Sequence, residues 1–417
     1  MPKTKLTIDE ENFLINDKLI YSEIPDSKPE AHGLLMNARF IQGIFDDKND
    51  RERYNRWGRK FSPDKNTDDL IAALPEWYNY GLRAFTTGFQ GGGPCFTTDN
   101  ATIHNNPFGE DGTSIDPAYA DRMDRLIRAA DEIGMIVIPS FFYGAQARRL
   151  KDGNAVRNAV TVASRFLRDG GYTNVIIEVA NEQDIPPFKE HPIIREPEGM
   201  AMLIDLARQE SGGLPVGCSG GGNSAYRQIC EASDVILIHG NGCSRQKLYE
   251  LIKKARSYSP GKPVVINEDS QAIGQLDVCY KTHVSWGYYN NMTKQEPPAD
   301  WGVTPGEDTF FAMRMAKGIG IDIKEPPKEQ QYYLQGLEPE MTVDGKRWLR
   351  VASLYPESID HVDFFRNGEL IYTCYDEPFA VNFMSNWMMG PVLGCKDSDE
   401  FKANVYLRSG EMINLGK

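Results

Sequence analysis

Two glutamates stand where an apolar, strand-like run stops. Val175-Ile-Ile-Glu-Val-Ala180 leads into Asn181-Glu182, and Pro263-Val-Val-Ile-Asn267 leads into Glu268. A carboxylate at the rim of an apolar strand is expensive to bury alone and useful when paired. In such a pair one group stays protonated and donates to a leaving oxygen, while the other stays ionised and attacks carbon. Cleavage of a glycosidic bond with retention needs carboxyl groups about 5–5.5 Å apart, close enough for burial and repulsion to separate their pKa values.

The elements that position such a pair must repeat. Strand-like runs occur at 39–45, 82–86, 135–142, 175–180, 215–219, 235–238, 263–267 and 284–288, with helix-like stretches between them. The clearest helix is predicted over 116–134, where Met123, Leu126, Ile127, Ala130 and Ile133 share one face. Asp116 before Pro117 supplies a cap and Gly134 a stop. The stretches 154–167, 197–209, 244–258 and 310–319 read the same way.

Strand and helix alternating eight times predict an α/β fold, a (β/α)8 TIM barrel, in which reactive side chains gather at the C-terminal ends of the strands. Strands four and seven lie nearly opposite in such a ring, so Glu182 and Glu268 can face each other across its mouth. From about residue 331 the texture becomes all-β, with a hairpin signal at Asn367-Gly368, which predicts a small C-terminal β-sandwich. The expected domains are 1–33, short strands packing on the barrel or the β domain; 34–325, the barrel; and 331–417, the β-sandwich.

Asn-Glu after strand four and Glu after strand seven resemble clan A of the glycoside hydrolases, the retaining barrel enzymes that include the cellulase-like family 5. The segments that carry the likeness are Ile177-Glu-Val-Ala-Asn-Glu182 and Lys262-Pro-Val-Val-Ile-Asn-Glu268, within roughly 34–322. The resemblance implies Glu182 as acid/base, Glu268 as nucleophile and Asn181 as the partner of a sugar 2-hydroxyl. It further implies that Arg83 keeps the nucleophile ionised, that His239 lies on strand six at the site, and that Trp286 floors the innermost sugar subsite. Position 241 holds Asn where the clan has Tyr, and strand three ends in Phe141-Phe142-Tyr143 where many family members have His.

Other residues at strand ends are Asp46, Asp47 and Tyr143, expected to reach sugar hydroxyls, with Asp184 and Asp269 as alternative carboxylates. Glu178 shares a strand face with Ala180 and Glu182, which implies an inward polar group or a bend. The Gly-rich stretches 88–94 and 219–224 lack a phosphate-binding signature and read as sites of close backbone approach. Trp57, Trp301, Tyr288 and Tyr289 are further candidate platforms for sugar rings.

The net charge of −13 disfavours nucleic-acid phosphates and anionic lipid, so a carbohydrate is the expected partner. No metal or organic cofactor is called for, because six scattered His residues and seven Cys without a CxxC pair fit no metal motif. A Schiff-base aldolase would need a Lys at a strand end, and none of the eight runs offers one. The sequence as written carries no signal-type core or membrane-length apolar run, which reads as cytoplasmic unless a leader was removed. The alternative to a retaining glycoside hydrolase is a catalytically silent carbohydrate-binding protein on the same scaffold.

Overall fold

The computed structural model describes residues 2–338 and 341–416; residues 1, 339, 340 and 417, which the expected domains include, lie outside it. The chain opens with an antiparallel sheet of β1 (Leu6–Asp9), β2 (Asn12–Ile15) and β3 (Lys18–Leu19). Asn16 and Asp17 both adopt positive φ in the tight turn between β2 and β3. Leu6, Phe13 and Ile20 are buried in the same apolar core as the strands that follow, so this sheet packs on the central ring.

Eight parallel strands come next: β4 (Asn37–Arg39), β5 (Ala84–Gly88), β6 (Ile136–Phe142), β7 (Ile177–Ala180), β8 (Val216–Gly217), β9 (Ile236–His239), β10 (Val264–Glu268) and β11 (Gly287–Tyr288). One sheet runs β11-β4-β5-β6-β7-β8, and β9 pairs with β10. A parallel bridge from Val265 to Ser285 joins β10 to the approach to β11. Asp234 N and Val235 N donate to Val216 O, joining β8 to the approach to β9. Each strand therefore lies beside its sequence neighbours and the last beside the first. Every residue of the eight is buried, which explains their near-continuous apolar runs.

Helices cover the outside. In Pro117–Ile133 the Asp116 side chain accepts from Ala118 N, and Gly134 closes the helix at φ +86°. Met123, Leu126, Ile127 and Ala130 form its buried face, as their spacing predicts. Helix Pro63–Asn79 was not legible, since Pro75 interrupts its interior.

Two strands differ from the sequence reading in ways that matter below. The first ends at Arg39 rather than running from 39 to 45, because Phe40–Phe45 turns back on itself through Gly43 N to Phe40 O and Phe45 N to Gln42 O. The apolar residues there are buried as a turn, not as a strand. The second begins at Ala84, so Arg83 precedes it.

The C-terminal region contains β12 (Tyr332–Gln335), β13 (Thr342–Val343), β14 (Lys346–Arg347), β15 (Arg350–Ser353), β16 (Ile359–Arg366), β17 (Glu369–Cys374), β18 (Phe383–Ser385), β19 (Met388–Met389), β20 (Phe401–Leu407) and β21 (Met412–Leu415). Four of them form the antiparallel sheet β17-β16-β20-β21, and β12 pairs with β15. Leu334 and Val351 share a core with Val362, Phe364, Ala403 and Val405, so the two sheets face each other. Asn367 and Gly368 take positive φ at the β16–β17 turn, as expected. This region meets the ring through the buried Arg350–Glu307 pair (3.0 Å) and through Asn386, which accepts from Gly242 N at 2.6 Å. Among the described residues, no helix is long and apolar enough to cross a membrane.

Candidate active site

The C-terminal ends of β4, β7, β9 and β10 converge. Glu268 closes β10, His239 closes β9, Arg39 closes β4, and Asn181-Glu182 follow β7. The chain bends at Glu182, which has φ +53°, and Glu182 N donates to Ser219 Oγ. Ser219 also donates to Glu178 Oε1 at 2.7 Å, and Asn267 Nδ2 donates to the same oxygen at 2.9 Å. Glu178 is thus an inward polar group whose Oε1 is bonded from both sides while its Oε2 has no partner in the protein, and the bend releases Glu182 toward the mouth.

His239 stands between the two glutamates. Its Nδ1 lies 3.2 Å from Glu182 Oε1 and 3.8 Å from Glu268 Oε2. One carboxylate oxygen from each glutamate and one ring nitrogen all fall within 4.8 Å of one another. Arg39 Nε is 2.7 Å from Glu268 Oε2, and Asn241 Nδ2 donates to Glu268 Oε1 at 3.0 Å. Glu268 is held from both sides, while Glu182 is the more exposed member of the pair.

Burial raises the Glu268 carboxyl above its ordinary value, and Glu182 and Glu178 add to the rise, while Arg39 and His239 oppose it. For His239 burial acts downward, but the carboxylates of Glu268 and Glu182 win and raise the imidazole. Burial also pushes the Tyr143 and Tyr289 phenols and the Cys95 thiol upward, so these three stay protonated. Cys95 is accordingly no thiolate nucleophile.

Asn181 is buried, and its Oδ1 has no hydrogen-bond partner in the protein. Tyr143 borders the same space, and a Cβ added at Gly92 would lie 2.8 Å from Gln295 Nε2 and 3.4 Å from the Tyr143 ring, so the first Gly-rich stretch packs tightly on this wall. That loop is tied down by Glu296, which accepts from Cys95 N and Phe96 N at 2.7 Å each.

Three expected ligand-facing residues are elsewhere. Arg83 lies before β5, at the opposite end of that strand from the glutamates. It donates to Tyr78 O, pairs with Glu23 and stacks 3.8 Å from the centre of the Tyr78 ring. Arg39 is the cation beside Glu268. Trp286 is fully buried, with its Nε1 donating to Asp269 Oδ2 at 2.7 Å and its ring against Phe311. The two-residue period of a strand turns Trp286 and Tyr288 toward the helix layer and leaves Tyr289 facing Arg39, 5.5 Å from its ring centre. Asp46 is buried and gripped by Arg51 at 2.6 and 2.7 Å, which leaves it unavailable to a ligand.

The other carboxylates are structural. Asp184 accepts from Gly221 N and Tyr226 Oη and so shapes the second Gly-rich stretch. Asp269 accepts from Trp286 and Ser270, and burial pushes it up to about 7. Trp301 is core, donating to Asn66.

No protein-family model and no curated protein matches the sequence. The chain is similar to several solved structures at low identity. They include a Bacteroides uniformis β-glucuronidase (9% identical, TM-score 0.46, covering 99% of this chain and 47% of that one). A Parabacteroides merdae β-glucuronidase is 10% identical, with TM-score 0.41 and coverage of 99% and 50%. A Bacteroides vulgatus chain provisionally described as a glycoside hydrolase is 11% identical, with TM-score 0.48 and coverage of 99% and 80%. The chain spans about half the length of the β-glucuronidases it matches.

By ligand type, Glu182, His239 and Glu268 would also suit a divalent cation. The permanent charge of Arg39 at 2.7 Å from Glu268 opposes one there.

Proposed function

We propose that this chain is a retaining glycoside hydrolase of clan A type, acting on β-linked oligo- or polysaccharide. In this reading the eight-stranded ring is a (β/α)8 barrel over 34–325, closed at one end by residues 1–33 and braced by a β-sandwich over 331–417. The observation that carries it is the Glu182–Glu268 pair, with oxygens within 4.8 Å across the ring mouth and Glu268 bound to Arg39. That separation fits direct attack on the sugar better than the 6.5–9.5 Å gap typical of inverting enzymes.

Glu268 attacks the anomeric carbon as its carboxylate, the form that Arg39 and His239 favour against burial, and is aimed by Asn241. Glu182, more exposed and next to His239, gives its proton to the departing oxygen as the C–O bond breaks. A covalent glycosyl ester on Glu268 results. Glu182, now ionised, takes a proton from water, whose oxygen attacks the same carbon and releases Glu268. Asn181 Oδ1 and Tyr143 are placed to meet sugar hydroxyls beside the reacting carbon, and Tyr289 contributes an aromatic wall.

The test is hydrolysis of 4-nitrophenyl β-glycosides of common hexoses, pentoses and hexuronic acids. Glu268→Ala should abolish turnover. Glu182→Gln should slow poor leaving groups far more than 4-nitrophenol, which needs no proton. Saccharide binding without turnover by the wild type would favour the silent binding protein instead.

A further inference from the structure

A cavity of about 410 Å³ lies between the turn at Trp57, the segment after β11 and the first strands of the C-terminal region. Its walls include none of the residues of the glutamate pair's site. It adjoins that site through one short stretch: Tyr289 faces Arg39, and Met292 and Thr293, a few residues on, line the cavity. The volume is at the lower end of small-molecule sites, about 300–1,000 Å³.

Trp57 is presented there at a conformational cost. It has φ +56° and Gly58 has φ +69°, and Arg56 bridges to Arg59, which makes a tight primed turn. The first central position of such a turn favours Asn, Asp or Gly, so a large aromatic there is strained. Two arginines bolt the turn to the wall. Arg56 donates to Pro297 O and Arg59 to Pro298 O, both at 2.7 Å, and the Arg56 guanidinium lies 4.5 Å from the Trp57 ring centre.

Polar atoms in this wall lack protein partners. Gln335 is 5% exposed and its Oε1 is buried and unpaired; Thr293 Oγ1 and Trp57 Nε1 are buried and unpaired as well. Buried polar groups are nearly always satisfied, so these three atoms are left to find a partner outside the chain. The carboxylates nearby are already engaged: Glu338 accepts from Tyr333 Oη and Gly336 N, and Asp300 from Gly302 N. An aromatic face with Met292 and Met341 beside it, a rim of hydroxyl and amide groups, and charges of both signs from Arg59, Asp300 and Glu338 that offset one another fit one ligand chemistry. A pyranose offers an apolar C–H face and a rim of hydroxyls.

We propose that this cavity binds a neutral saccharide unit, stacked on Trp57 and hydrogen-bonded to Gln335 and Thr293, apart from the glutamate pair. The proposal stands on the cavity and does not require that the chain hydrolyse anything.

Isothermal titration of the full chain with the β-1,4-linked trisaccharides of glucose, mannose, galactose and xylose tests it. The expected result is saturable binding of at least one, weakened at least tenfold by Trp57→Gly and by Gln335→Leu and still present in Glu268→Gln. Trp57→Gly relieves the positive-φ strain, so an undiminished thermal midpoint separates lost binding from misfolding; Thr293→Val gives a second, milder probe. Binding lost in Glu268→Gln but indifferent to Trp57 and Gln335 overturns the cavity site while upholding a saccharide site at the glutamates. Binding by none of the four also overturns it. Cavity binding in a chain that hydrolyses none of the aryl glycosides upholds this proposal and counts against the catalytic one.

Discussion

Arg39 Nε and Glu268 Oε2 are 2.7 Å apart, with side chains only 1% and 9% exposed, although their strands are separated in the ring by β11. Removing one member of such a buried pair leaves the other charge uncompensated, a penalty of about 3–5 kcal/mol. Arg39→Met is expected to lose that much stability in urea unfolding. The double variant Arg39→Met/Glu268→Gln should regain part of it, because neither charge then remains. Hydrolysis by Arg39→Met should fall by roughly 100-fold or more in kcat, the scale of losing one preorganised electrostatic partner. Unchanged stability and turnover would remove Arg39 from the site.

Several buried acids hold their protons more tightly in the fold than outside it. Asp269 is pushed up from 3.8 to about 7 by burial, and Glu307 and Glu377 from 4.5 to about 8 for the same reason. A native state that binds more protons than the unfolded chain loses stability as pH rises. The loss associated with Asp269 therefore falls between about pH 4 and pH 7. Urea midpoints measured from pH 4.5 to 8 should decline, and Asp269→Asn should flatten the part of the decline below pH 7. A midpoint that climbs over this range would contradict the burial of these groups.

Arg83 lies at the end of β5 away from the glutamates, tied to Tyr78 and Glu23. Arg83→Met keeps the aliphatic stem but loses the donation to Tyr78 O, the contact with Glu23 and the stacking on Tyr78. A stability loss of about 1–3 kcal/mol is expected, as for an unsatisfied buried acceptor plus a cation–π contact. Steady-state kinetics should match the wild type. A selective fall in kcat would return Arg83 to the site.

Asn386, from the C-terminal region, reaches the loop that carries Asn241. It accepts from Gly242 N at 2.6 Å and donates to Cys243 O at 3.1 Å, while Asn241 in turn donates to Glu268. Asn386→Ala should leave KM nearly unchanged and lower kcat about tenfold, since a small displacement of a positioning group is costly. Asn386→Asp keeps the acceptor for Gly242 N and should recover most of the rate. A KM effect without a kcat effect would show that the contact merely joins the two regions.

The chain itself determined the alternation of strands and helices, the helix ends at Asp116 and Gly134, the Asn367-Gly368 turn and the candidate pair Glu182–Glu268. Each is written in local terms: side-chain period, cap chemistry, turn residues and a carboxylate where an apolar run stops. His239 and Asn181 were legible for the same reason, as neighbours of strand ends. What the tertiary structure decided is which cation meets Glu268 and which aromatic faces it. Both depend on where a strand starts and stops within two to six residues. Apolar residues from 40 to 45 are equally at home in a buried turn, so Arg39 looked like a beginning and is an end. Arg83 looked interior and lies before its strand. A one-residue change of face separates Trp286, turned to Phe311, from Tyr289, turned to Arg39. Composition and spacing carry no record of that parity, nor of the folding that puts Trp57 and Gln335 on the wall of one cavity. Those follow only once the ring closes and the C-terminal sheets pack against its mouth.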